Sequence, residues 1–172
     1  MKLIQLKWLF ATLVIASSLF ALSAFDIDYQ NEYEPILMSR AEMEAAVQVR
    51  EARDIEKPGK IWVYNDFIFV IEQYKGIHVL NNLNAENPIN ISFIQIDGCT
   101  DVAVKSGVIY ANNAVDLIGV KPASDYQSIN VVSRNRDVLP KLQAPAGVYT
   151  DDFEKFRPDN TIIVRWEAYK PE

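Results

Sequence analysis

Between Pro58 and about Arg134 the chain writes one four-strand pattern twice, and the rest of the chain is arranged around that repeat. Laying the run from Lys60 to Val70 over the run from Asp101 to Ala111 sets Ile61 and Val63 on Val102 and Val104, and Phe67 and Phe69 on Val108 and Tyr110. The match resumes one residue shorter in offset. Gly76-Ile77-His78-Val79-Leu80 then lies over Asp116-Leu117-Ile118-Gly119-Val120, and Ile89-Asn90-Ile91 over Ile129-Asn130-Val131. An offset of about 40 residues filled with short alternating strands is the period of a propeller blade or a similar repeat.

The alternation predicts strands over 60–64, 67–73, 76–81 and 89–96 in the first unit, and over 101–105, 108–112, 115–120 and 128–134 in the second. Asn65-Asp66 and Ser106-Gly107 each separate two alternating runs by two residues, which is the signature of a tight hairpin. The expected fold is therefore all-β, with two four-stranded antiparallel units resembling propeller blades.

The flanks are read differently. Residues 1–24 have the layout of a signal peptide: Lys2 and Lys7, then an apolar run from Trp8 to Phe20, then small residues from Ala21 to Ala24. An uncleaved anchor is the rival reading, because no charge occurs from Trp8 to Phe25. Either reading exports the rest to the periplasm or cell envelope. Residues 25–37 read as an extended leader. Its acids Asp26, Asp28, Glu32 and Glu34 lack the turn glycine and closing glutamate of an EF-hand loop, which favours a solvated linker over a calcium site. Ser39-Arg40-Ala41-Glu42 is a capping box, so a short helix with Met43, Ala46 and Val47 on its buried stripe should follow within 25–57. Residues 58–172 form the two-repeat domain. Within it, 137–160 reads as a long loop, and 161–169 as a final strand that should cover an open sheet edge.

A net charge of −6 repels phosphate backbones, which argues against nucleic acid as a partner; the membrane enters only through the N-terminal segment if that stays uncleaved. Cys99 is the only cysteine, so no internal disulfide and no thiolate zinc site is available. It reads as a small buried hydrophobe, with an intermolecular bridge or reactive thiol as the alternative. His78 is likewise the only histidine, which leaves a Ser/His/Asp set or a transition-metal centre without partners. No cofactor or metal is expected.

With both units laid out, the chain resembles the LVIVD-repeat family of exported bacterial proteins. The residues that carry the likeness are Tyr33 to Arg40, Pro58-Gly59-Lys60-Ile61, Tyr74 to Val79, Asn87-Pro88, Gly98 to Lys105 and Ala114-Val115-Asp116-Leu117. The resemblance implies repeats that form blades of a β-propeller, with no assigned chemistry. This chain departs from the family pattern at the lipoprotein cysteine many relatives carry, and at Asn81 and Lys121, where an aspartate usually follows the third strand. Two units also fall short of the four to eight blades that close a propeller. An open pair of sheets, or closure by self-association, is implied.

Surface contacts are expected where the second and third strands connect: Tyr74 and Lys75 in one unit, Asn113 and the nearby Asp116 in the other. His78 lies outward or between sheets on a strand whose neighbours face the other way, and either a packed or a surface position fits it. Asp97, Cys99 and Asp101 sit at the junction of the units. The two aspartates raise the alternative of a hydrolase working with paired carboxylates, although acids in such turns more often accept backbone hydrogen bonds. The expected function is a non-catalytic extracytoplasmic interaction module that meets a protein partner, or itself, through open sheet edges. A structural subunit of an envelope assembly is a further alternative.

Overall fold

The computed structural model describes residues 33–145, 153, 155 and 157–169. The predicted signal or anchor segment, most of the leader with its Asp26 and Asp28, and part of the 137–160 loop lie outside the described residues. The chain runs β1 (Tyr33–Ser39), α1 (Arg40–Ala45), β2 (Gln48–Arg50), β3 (Pro58–Tyr64), β4 (Phe67–Glu72), β5 (Gly76–Asn81), β6 (Ile89–Gln95), β7 (Val102–Lys105), β8 (Val108–Asn113), β9 (Asp116–Pro122), β10 (Ile129–Asn135) and β11 (Thr161–Ala168). Among the described residues no helix is long and apolar enough to cross a membrane.

The two sequence repeats fold as two antiparallel meanders, β3-β4-β5-β6 and β7-β8-β9-β10. Their hairpins turn where the residues tolerate a left-handed backbone: Asn65 has φ 52°, and Ser106 and Gly107 have φ 52° and 71°. The next connection repeats the device less comfortably, with Tyr74 at φ 65° and Ala114 at φ 52°. Gly76 is required where it stands. Its φ is 146°, and a Cβ there would lie 2.1 Å from the Ile94 carbonyl oxygen.

The main core lies between the meanders. The first turns the cross-strand row Trp62, Phe69, Val79 toward the second, and the second answers with Val104, Ile109, Val120. Tyr126, in the turn before β10, reaches across to the first sheet, with its ring centroid 4.4 Å from that of Phe67. Each fully buried aliphatic here contributes roughly 1.5–3 kcal/mol of transfer free energy.

The structure corrects three expectations. The first unit has five strands, because β2 adds to the outer edge of β6 through Gln48↔Gln95, Val49↔Ile94 and Arg50↔Phe93. The leader becomes a strand from Tyr33 onward. The final strand does not cover a repeat edge: β11 pairs with β1 in a separate two-stranded sheet, with Met38 opposite Ile162 and Leu37 opposite Ile163. The physical reason is a second, small core. Met43 from α1, Ala114 and Val164 are buried together against Ile36, Met38 and Ile162, so strand and helix close over the mouth of the β8–β9 hairpin.

Both outer faces of the paired sheets are partly covered or polar, with Ile61 and Val63 left exposed on the first and Tyr110 on the second. On the first, residues 51–57 cross the back of the sheet: Arg53 stacks 3.6 Å over the Phe93 ring, its carbonyl accepts from Asn90 Nδ2 at 2.8 Å, and Glu56 and Lys57 donate backbone N–H groups to Glu72. On the second, Ala103, Lys105, Asn112 and Lys121 stand where the first unit has Trp62, Tyr64, Ile71 and Asn81, and Lys105 and Lys121 are exposed.

Candidate functional site

The polar residues singled out from the sequence gather at the mouths of the two equivalent hairpins. In the register of the repeat, Glu72 and Gly76 of the first unit correspond to Asn113 and Asp116 of the second, and each unit has one buried carboxylate at that position. Both acids pin a passing segment by its backbone. Glu72 Oε2 and Oε1 accept from the N–H of Glu56 and Lys57 at 3.0 and 2.7 Å, and Asp116 Oδ1 accepts from the N–H of Asp137 at 3.0 Å.

Asp116 is fully buried and meets two guanidinium groups. Arg40, at the first position of α1, donates to both of its oxygens at 3.0 and 2.9 Å, and Arg134 of β10 donates to Oδ2 at 2.7 Å. Burial works against its charge, but the Asp137 N–H, Arg134 and Arg40 outweigh it and hold the carboxyl below its ordinary range. The network continues inward. Arg134 also donates to Asn113 Oδ1 at 2.9 Å, and Asn113 Nδ2 donates to the Asp97 carbonyl at 2.7 Å. Asn113 is thus wholly enclosed, and its expected place at an exposed contact loop is corrected: that connection lies beneath β1, β11 and α1.

His78 is the packed histidine of the two placements open to it. It is fully buried, with Nε2 3.2 Å from Glu72 Oε2 and Nδ1 3.4 Å from Asn90 Nδ2. That partner set assigns the neutral tautomer with the proton on Nε2. Burial pushes the imidazole below its ordinary value, against the opposing pull of Glu72. Glu72 stays below the usual carboxylate range because its backbone donors and His78 outweigh the effect of burial. The pair locks β4 to β5 beneath the 51–57 segment.

Cys99 is buried and its thiol is pushed up to about 12, chiefly by burial, so it carries no thiolate at neutral pH and behaves as a small apolar residue. The two junction aspartates turn to different partners. Asp101 is exposed and pairs with Lys60 at 2.6 Å, and its carboxylate also accepts the N–H of Val102 at 2.7 Å. Asp97 Oδ2 accepts from Gln95 Nε2 at 3.1 Å, and Oδ1 lies 3.7 Å from Arg165 of β11. Between them Asn112 Oδ1 accepts the N–H groups of Thr100 and Asp101, both at 2.8 Å. Tyr74 and Lys75 are half-buried. The Tyr74 N–H donates to the Cys99 carbonyl at 2.7 Å, and the Gly98 N–H returns a bond to the Tyr74 carbonyl at 2.8 Å.

Two clefts flank this junction. One, of about 390 Å³, lies between Arg40, Asp137 and the start of β11. The other, of about 220 Å³, is lined by Arg53, Lys75, Phe93, Gln95, Asp97 and Arg165, and so brings the predicted Lys75 and Asp97 together. Among the described residues no group of three or more His, Cys, Asp and Glu side chains is placed to hold a metal ion. Sequence reasoning passed over Glu72, Arg40, Arg53, Arg134 and Arg165. The available signal for Glu72 was the repeat itself, which aligns an acid closing an apolar strand with Asn113.

No family model matches the chain, and no curated protein or solved structure matches it.

Proposed function

We propose that this protein is a non-catalytic interaction module of the extracytoplasmic space, built from two LVIVD-like repeats, that binds an extended segment of another protein along β10. The observation that carries this reading is an asymmetry between the two units. The outermost strand of the first meander, β6, is covered by β2, whereas its counterpart β10 ends its sheet and has no strand beside it among the described residues. Val131 and Val132 are 42% and 56% exposed on that strand, without the proline or lysine that commonly blunts an edge. An edge of this kind offers unpaired backbone groups to an added strand, with side-chain pockets at alternate positions. Two meanders of the same strand order, with left-handed turn residues at equivalent connections, are what a pair of propeller-type blades would present.

The test is a photo-reactive side chain at position 132, with a control at Leu83, a loop residue 74% exposed. Adducts of one defined mass at 132 and none at 83, in the native envelope fraction, are expected. Placing lysine at both 131 and 132 should abolish them without lowering the melting temperature. Equal labelling at both sites, or monomer alone at every concentration, would overturn the reading.

A further inference from the structure

We infer that the cleft between the 51–57 segment, β6 and β11 is a binding site for a compact carboxylate anion. It lies apart from the β10 edge and is argued on different observations. The chain carries a net charge of −6, yet this cleft gathers the cations Arg53, Lys75 and Arg165 around a single lining acid, Asp97. Three of the charged side chains are partly engaged: Lys75 pairs with Glu56 at 3.0 Å, and Arg165 with Glu167 at 2.6 Å and with Asp97 at 3.7 Å. Arg53 is different. Among the described residues no carboxylate lies within ion-pair distance of it, and its guanidinium carbon lies 3.6 Å from the centroid of the Phe93 ring.

A guanidinium stacked on an aromatic face keeps its N–H edge directed sideways, in the plane that matches the two oxygens of a carboxylate. The backbone that carries it is also held before any ligand arrives. Asn90 holds the Arg53 backbone, Phe93 packs 4.8 Å from the buried His78 ring, and Glu72 anchors the same segment further on through the N–H groups of Glu56 and Lys57. Stacking on Phe93 therefore removes part of its side-chain freedom before binding. Gln95 adds a polar group at the floor, held between Arg50 at 3.1 Å and Asp97 at 3.1 Å. The volume of about 220 Å³ admits a small acid or the end of a peptide. Asp97 in the wall repels a phosphate, whose charge of about −1.5 to −2 sits on one group, more than it repels a single carboxylate group.

Titration of the isotope-labelled full chain with succinate, at constant ionic strength, tests the site. Succinate is expected to shift the backbone amides of Lys75 and Gln95 saturably, and Arg53→Gln should weaken that binding at least tenfold. A tripeptide with a free C-terminus, compared with its C-terminal amide, separates a peptide terminus from a free small acid as the source of the carboxylate. Should Arg53→Gln disturb the fold, as read from its melting temperature, Lys75→Gln serves in its place, with the same expected weakening. Equal shifts from chloride, tighter binding of inorganic phosphate, or unaltered affinity in a folded Arg53→Gln would overturn the assignment. Loss of this site would leave the crosslink at position 132 untouched, so the two proposals fail separately.

Discussion

Asp116 shows how one side chain can decide the form of a junction. Its two oxygens serve Arg40, Arg134 and the Asp137 N–H, and none of the carboxylate is exposed to water. Such a group is costly to bury and more costly to remove, because removal leaves two part-buried guanidinium groups without their shared anion. Asp116→Ala should therefore destabilise the protein by about 3–5 kcal/mol in urea unfolding. A loss below about 1 kcal/mol would show that Asp137 and Glu44, which also reach Arg40, take over the pairing. The sequence placed Asp116 at the start of a strand but gave no indication of Arg40 as its partner, 76 residues away. A separation of that size leaves no periodic trace.

At the scale of elements, the cap of the short helix α1 was legible in the sequence, whereas of the expected stripe Met43, Ala46 and Val47 only Met43 is buried, because the helix ends at Ala45. Ser39 Oγ accepts from the Glu42 N–H at 3.2 Å, and Glu42 returns its carboxylate to the Ser39 N–H at 2.9 Å, as the four-residue motif requires. A six-residue helix gains little from propagation, so its cap and its buried Met43 must hold it. Ser39→Ala should cost about 1 kcal/mol. Thermal unfolding checks this, and an unchanged melting temperature would mean that Met43 and the Arg40 network alone fix the helix. The strands of the meanders were equally legible, since alternation and turn residues are local. The partners of β2 and β11 were not. A three-residue strand carries almost no period, and a terminal strand fits any open edge by its own pattern.

The whole molecule should respond to pH through three buried groups. The His78 pKa is lowered from its ordinary value of 6.5, so the unfolded chain takes up the proton first, and stability falls as pH drops from about 6.5 toward the folded value. Glu72 and Asp116 are also lowered, from 4.5 and 3.8. Their contribution is present above those values and is lost as pH falls below them. Urea midpoints measured from pH 8 to pH 3 should show two declines, and His78→Gln should remove the first alone. A single acid transition in the unmodified protein would contradict the placement of His78. The sequence by itself determined the duplicated meander, its tight turns and the capped helix, because each rests on residues within a few positions of one another. Only the tertiary structure decided which face of each sheet is covered, what β11 pairs with, and that Asn113 and Asp116 are enclosed while Arg53 is not. Those outcomes depend on which distant segments compete for the same apolar surface and the same buried charge.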